Sequence, residues 1–184
     1  QTAQWLLETK TRLGDKAVFM IGNHDLPYFE EVWRVQHTRA KYAHKPSEKD
    51  FLCCGYTRNK AKDICRTEGI WDFFKDLQLA HISDGYCFSH AGFNAKDFKF
   101  NDTPEDFVAQ ACADFDLFKH RPLVNPFSCY LERVGLCRGG RFAVGGPLWQ
   151  DWNWDFEPIE GFPQVVGHTW DDDPREKSGS LCID

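Results

Sequence analysis

Val18-Phe19-Met20-Ile21-Gly22-Asn23-His24-Asp25 decides how the rest of the chain is read. Four apolar residues run without a break, followed by glycine and three residues able to bind metal or carry protons. A short continuous apolar run is the pattern of a strand buried on both faces. Open α/β sheets place ligand chemistry just beyond the carboxyl ends of such strands. Asn23, His24 and Asp25 therefore stand where a site is expected. The plainer alternative is a polar turn after a strand, with Asn and Asp serving turn chemistry.

Upstream, Thr2 to Leu13 reads as a helix with Gly14 at its C-terminal end. Helix, tight turn and buried strand make the second half of a βαβ unit, so the chain is expected to begin inside a domain. Downstream, Leu26 to about Tyr42 reads as a helix with Phe29, Val32, Trp33, Gln36 and Ala40 on one side. Residues 45–68 are polar, rich in Lys and Cys, and read as an irregular insertion. Ile70, Phe73, Phe74 and Leu77 space a short helix. Leu79–Ser83, Asp84-Gly85 and Tyr86–Ser89 spell a hairpin, because Asp-Gly suits a two-residue type I′ turn.

Thr103-Pro104-Glu105-Asp106 opens a helix with a capping hydroxyl, proline at the first position and acids in the first turn. Phe107, Val108, Ala111, Phe115 and Phe118 are its expected buried face. Residues 121–140 read as irregular and Arg141–Val144 as a strand ended by Gly145-Gly146-Pro147. Trp149, Trp152, Trp154 and Phe156 form an aromatic group that reads as a packed loop, with a cleft wall as the alternative. Gln164–Val166 and Leu181–Ile183 read as further strands.

A chain of 184 residues, 42% hydrophobic and 15% aromatic, suffices for one domain with a sizeable core, taken as residues 1–184. The net charge of −6 argues against a general nucleic-acid binder. No apolar stretch is long enough to span a membrane and no signal peptide is visible. The 8 cysteines include no CxxC pair, which disfavours a zinc ribbon. Cys87 and Cys182 read as small hydrophobes in strands. Reduced thiols and a cytoplasmic location are expected, with a disulfide or metal among Cys53, Cys54 and Cys65 as the alternative.

Three apolar runs end alike: Ile21 leads to Gly22-Asn23-His24-Asp25, Phe88 to Ser89-His90-Ala91-Gly92, and Val166 to Gly167-His168-Thr169. Each places a histidine just after a strand, with glycine close by to let the backbone turn or approach a ligand. One such histidine is commonly a satisfied core residue. Three at matching strand ends point to a metal site. His37, His44, His81 and His120 lack this context and read as surface or structural residues.

GNHD, SHAG and GHT, in that order, resemble the later blocks of the calcineurin-like metallophosphoesterases, in the branch of phosphoprotein phosphatases and diadenosine tetraphosphatases. The resemblance implies an α/β sandwich of two mixed sheets flanked by helices, here an N- and C-terminally incomplete fragment. It implies a dinuclear centre of two divalent ions, manganese first, with iron, zinc, nickel or magnesium as alternatives. Asn23, His90 and His168 would then ligate the second ion. His24 would be the general acid, with Asp25 orienting its ring. Paired metals can clamp the attacking and leaving oxygens of an in-line displacement and make hydroxide available near neutral pH.

The chain also departs from that family. The earlier blocks, DxH and GDxxDRG, are missing, and with them the first ion's ligands and a phosphate-binding arginine. Gly14-Asp15 does not replace them, because Val18 stands where the second aspartate belongs. This chain by itself is expected to bind one metal weakly and not to turn over. Arg141 and Arg138 are candidates for the family's other phosphate-binding arginine, against a plain surface role. Trp170, rather than a second histidine, follows two places after His168, which agrees with the phosphatase-type pattern.

The expected activity is a phosphatase acting on phosphomonoesters, including phosphoserine or phosphothreonine in proteins. Hydrolysis of dinucleoside polyphosphates is the enzymatic alternative. A non-catalytic, phosphatase-like binding module is the alternative of another class. Nothing in the sequence fixes an oligomeric state.

Overall fold

The structure, a computed structural model, describes residues 2–37, 57–98, 103–122 and 128–184. The chain divides into two compact units. One comprises Gln1–Phe19 and Asn23–Leu77, the other Met20–Gly22 and Gln78–Asp184.

The first unit is helical: α1 (Thr2–Leu13), α2 (Leu26–His37), α3 (Arg58–Cys65) and α4 (Ile70–Lys75). Its core takes Leu26, Phe29 and Val32 from one face of α2 and Ile70, Phe73 and Phe74 from α4. Phe29 meets Phe74 edge-on at 5.9 Å between ring centres. Gln36, expected on the apolar face, is exposed, and Trp33 is half-buried, stacked on His37 at 4.7 Å. Buried Glu31 pairs with Arg34 at 2.7 Å, which offsets its desolvation. The irregular stretch expected over 45–68 is corrected at 58–65. Thr57 caps a helix there, its side chain accepting from the Lys60 N–H. Residues 45–56, with Cys53 and Cys54, lie outside the described residues, as do 38–42.

The second unit is built on one mixed sheet: β1 (Ala80–Ser83), β2 (Tyr86–Ser89), β3 (Gln164–Val166), β4 (Arg175–Lys177) and β5 (Ser180–Cys182). The spatial order is β1-β2-β3-β5-β4. β2, β3 and β5 are parallel, with Phe88 opposite Val165 and Val165 opposite Leu181. β1 and β4 close the edges as antiparallel partners. The mixed α/β class expected from sequence is thus present. Where the resemblance implied two sheets, the described residues form one.

The hairpin turn is as expected: Asp84 and Gly85 both take positive φ, 51° and 79°. Helix α5 (Pro104–His120) starts at Thr103, whose hydroxyl accepts from the Asp106 N–H. It buries Val108, Ala111, Phe115 and Phe118, while Phe107 is half-buried. Residues 121–140 are less irregular than expected, carrying α6 (Ser128–Leu131) and a 3₁₀ turn at Leu136–Arg138.

Two strand expectations are corrected. Val18–Ile21 makes only an isolated parallel bridge, Met20 to Gln78, and Val18 is 39% exposed, so the run is not buried on both faces. Arg141–Val144 likewise makes one bridge, Phe142 to Gly135. Apolar content reports a tendency to be buried; it does not supply a hydrogen-bonding neighbour along the whole run.

Trp152 and Phe156 stack at 4.7 Å and are buried with Val166 and Cys182, the packed-loop outcome, whereas Trp154 is 80% exposed. Cys87 and Cys182 are fully buried. Cys65, Cys87, Cys112, Cys129, Cys137 and Cys182 are free thiols. Among the described residues no helix is long and apolar enough to cross a membrane.

Candidate metal centre

The parallel strands β2, β3 and β5 end on the same side, where open α/β sheets gather ligand chemistry. The β2–β3 ladder runs on for one step past the strands, the Gly167 N–H donating to the His90 carbonyl at 2.9 Å. The β3–β5 ladder does the same through the Ile183 N–H and the Val166 carbonyl. These extensions fix where His90, His168 and Asp184 leave the sheet.

The two histidines meet. Nε2 of His90 and Nδ1 of His168 stand 3.0 Å apart, one serving as donor and the other as acceptor. Their ring centres are 4.8 Å apart and the planes cross at 61°. They line a cavity of about 400 Å³ together with Met20, Ile21, Ser89 and Asp184. Trp149 sets its ring edge-on to His168 at 5.9 Å.

Backbone conformation explains the approach. His168 has φ of +72°, a left-handed conformation uncommon for a residue with a side chain. Its N–H donates to Asp184 Oδ2 at 2.9 Å. On the other strand Gly92 has φ of +97°, and a Cβ there would lie 2.5 Å from the Phe156 ring. The glycine of SHAG is thus sterically required. The glycine of GHT is not, since a Cβ at Gly167 would stand 3.4 Å from its nearest neighbour, an ordinary contact.

Behind the pair lies a buried layer of amides. Gln164 accepts from the Phe93 N–H and donates to the Phe93 carbonyl, both at 2.8 Å. Gln150 donates to the Gly92 carbonyl at 2.6 Å and accepts from Asn94 at 3.1 Å. These bonds hold residues 92–94, and so the exit of β2, in one position.

The chemistry of the donors fits a divalent ion. Two nitrogens ligating one ion at bonds of about 2.1 Å stand roughly 3.0–3.4 Å apart; the two rings hold that spacing through a shared proton, which an ion would have to displace. Ser89 Oγ, lining the same cavity, is buried and has no hydrogen-bond partner among the described residues, which suits a polar occupant. Two imidazoles are nonetheless only part of a coordination sphere. Among the described residues no group of three or more His, Cys, Asp or Glu side chains is arranged to hold a metal.

No protein-family model, no curated protein and no solved structure matches this chain.

Asn23, His24 and Asp25 form one turn at the start of α2 in the first unit. Asn23 is buried, while His24 and Asp25 are exposed. The Asp25 carbonyl accepts from the Phe29 N–H at 2.9 Å, so Asp25 occupies the helix-capping position. Turn chemistry is therefore part of what this tripeptide does. Arg141 lies exposed with its guanidinium over Phe142, 5.3 Å from the ring centre. Arg138 is tied in beside the GHT block, donating to Thr169 Oγ1 at 3.0 Å and pairing with Asp151 at 2.8 Å.

Asp184, Ser89 and Trp149 are cavity or ring neighbours that the strand-end histidine pattern does not single out. For Asp184 a signal exists. It follows an apolar run, as Asn23 and His168 follow theirs after one glycine.

Proposed function

We propose that this chain belongs to a divalent-metal phosphoester hydrolase of calcineurin-like fold, acting on phosphomonoesters such as phosphoserine or phosphothreonine. The observation that supports it most is the pairing of His90 Nε2 with His168 Nδ1 at 3.0 Å, on neighbouring parallel strands and over a cavity. The ordered blocks GNHD, SHAG and GHT add the family resemblance.

On this reading His90 and His168 hold one ion, manganese first, through the two facing ring nitrogens. The family resemblance would assign the side-chain carbonyl of Asn23 as a third donor. Bound divalent ions supply Lewis-acid activation of water and neutralise charge on the phosphoryl oxygens. By the same resemblance His24 would be the general acid that protonates the leaving alkoxide oxygen, with Asp25 orienting its ring. Arg141 and Arg138 are the candidate phosphate-binding arginines of this reading, Arg138 being bonded to Thr169 of the GHT block and to Asp151.

The test is calorimetric titration with Mn²⁺ of the wild-type chain, His90→Ala and His168→Ala. One ion bound by the wild type, with affinity at least about tenfold weaker in each variant, supports the reading. Affinity unaffected by either substitution sinks it. Activity requires the first ion's ligands as well. A polypeptide joining DxH and GDxxDRG blocks to these residues is the one to assay, p-nitrophenyl phosphate against diadenosine tetraphosphate separating the phosphomonoesterase from the dinucleotide alternative.

A further inference from the structure

We infer that Asp184 is the positioning residue of the histidine pair: its carboxylate holds the backbone of His168 in the left-handed conformation that turns the ring toward His90. The inference rests on the metal reading only for its consequence in binding; the positioning itself is a property of the metal-free protein.

A residue with a side chain takes φ near +72° in only a small minority of cases, histidine more readily than most, so a contact that favours it here is informative. At this turn the natural carrier of a positive φ is Gly167, one residue earlier, yet the left-handed residue is His168. The contact that accompanies this choice is the His168 N–H donating to Asp184 Oδ2 at 2.9 Å. The acceptor is charged, and such a bond is stronger than one between neutral groups.

Asp184 is itself held from two directions. The Ile183 N–H, one residue before it, donates to the Val166 carbonyl at 2.9 Å, and the Asp184 carbonyl accepts from Asp171 at 3.0 Å. The Asp184 side chain lies over Gly167, where a Cβ would stand 3.4 Å from its own Cβ. The carboxylate thus reaches the His168 N–H across a residue that leaves it room. Without that acceptor, the His168 N–H loses its partner and the backbone loses what favours positive φ. The ring would then swing off the 3.0 Å line to His90.

Asp184 also lines the cavity, so direct ligation is the competing role. The described residues assemble no three-donor cluster of carboxylate and imidazoles, and the oxygen that is engaged faces a backbone N–H. The role is therefore orientation of a ligand, of the kind whose loss costs about 10- to 100-fold in metal affinity.

The experiment compares wild type, Asp184→Ala and Asp184→Asn as the metal-free 184-residue chain, and then with Mn²⁺. Side-chain ¹⁵N spectra report the N–H···N bond between His90 and His168, and amide exchange reports the His168 N–H. Asp184→Ala should lose the ring-to-ring signature and exchange faster at His168 while Val166 stays protected. Asp184→Asn, whose amide oxygen still accepts, should keep both. Mn²⁺ affinity should fall about 10- to 100-fold in Asp184→Ala and stay within about threefold of wild type in Asp184→Asn. An intact ring pair in Asp184→Ala, or a lost one in folded Asp184→Asn, overturns the inference. The Asn arm decides alone if the Ala variant does not fold. Loss of the pair in Asp184→Ala from a wild type that binds no Mn²⁺ would support the positioning role while removing the metal reading.

Discussion

Gly92 and Phe156 contend for the same volume: a Cβ on the glycine would lie 2.5 Å from Cε2 of the ring and 3.2 Å from Val166. The ring cannot retreat freely, because it is stacked on Trp152 at 4.7 Å. Gly92→Ala should therefore destabilise the second unit by about 2–4 kcal/mol, combining overpacking with a φ that alanine resists. A urea midpoint lowered with unchanged slope is the expected result. Trimming the ring in Gly92→Ala/Phe156→Leu should cost less than the sum of the two single changes. Strict additivity would show that the ring is not what excludes the side chain.

Gln164 tests the buried amide layer. Its side chain satisfies both the N–H and the carbonyl of Phe93 while fully buried itself. Gln164→Leu keeps the volume roughly constant and leaves two backbone groups without partners. The expected cost is about 2–5 kcal/mol. Mn²⁺ affinity should fall as well, because Phe93 lies three residues after His90 and shares its backbone path. A stability change below about 0.5 kcal/mol would mean that water takes over both bonds.

The buried thiol of Cys87 gives a pH prediction. Burial, with a smaller contribution from the nearby Cys112, pushes Cys87 up to about 12 from an ordinary value of 9.0. The folded state thus keeps its proton where the unfolded chain has lost it. Above pH 9 the unfolded state binds fewer protons, so stability falls as pH rises, by up to about 1.4 kcal/mol per unit between 9 and 12. Burial also pushes Cys65 up, to about 11, which adds a slope of the same sign. Cys87→Ala should flatten part of the alkaline decline, measured by urea unfolding at pH 8, 9 and 10. The native thiol should resist alkylation at pH 8, because the thiolate is the reactive form.

Local chemistry made much of this fold legible. Asp84-Gly85 specifies a turn by itself, and Thr103-Pro104 starts a helix by itself, so both could be read from a few adjacent letters. β4 could not. Arg175-Glu176-Lys177 has no apolar alternation; it pairs with β5 along an edge, and Arg175 donates to the Thr169 carbonyl and to Asn153. The apolar run ending at Ile21 erred the other way, since its letters promise a strand while only Met20 forms a bridge, an isolated one to Gln78 outside the strands. At the site, His90 and His168 could be picked out because each follows a strand end with glycine near. Asp184 could not be paired with His168 from sequence, because their bond depends on how β3 and β5 register.

Trp149 provides an optical readout of the histidine pair. Its indole sits edge-on to His168 with ring centres 5.9 Å apart. A paramagnetic ion held between His90 and His168 should quench this indole strongly and spare exposed Trp154, which lies on the following turn. The chain has 7 tryptophans, so the signal is a difference. Wild-type emission should drop on addition of Mn²⁺ or Co²⁺, and Trp149→Phe should remove most of that drop without abolishing binding measured by calorimetry. His168→Ala should remove the drop and the binding together. If Trp149→Phe leaves the quenching intact, another indole reports the ion and the proposed placement beside Trp149 fails.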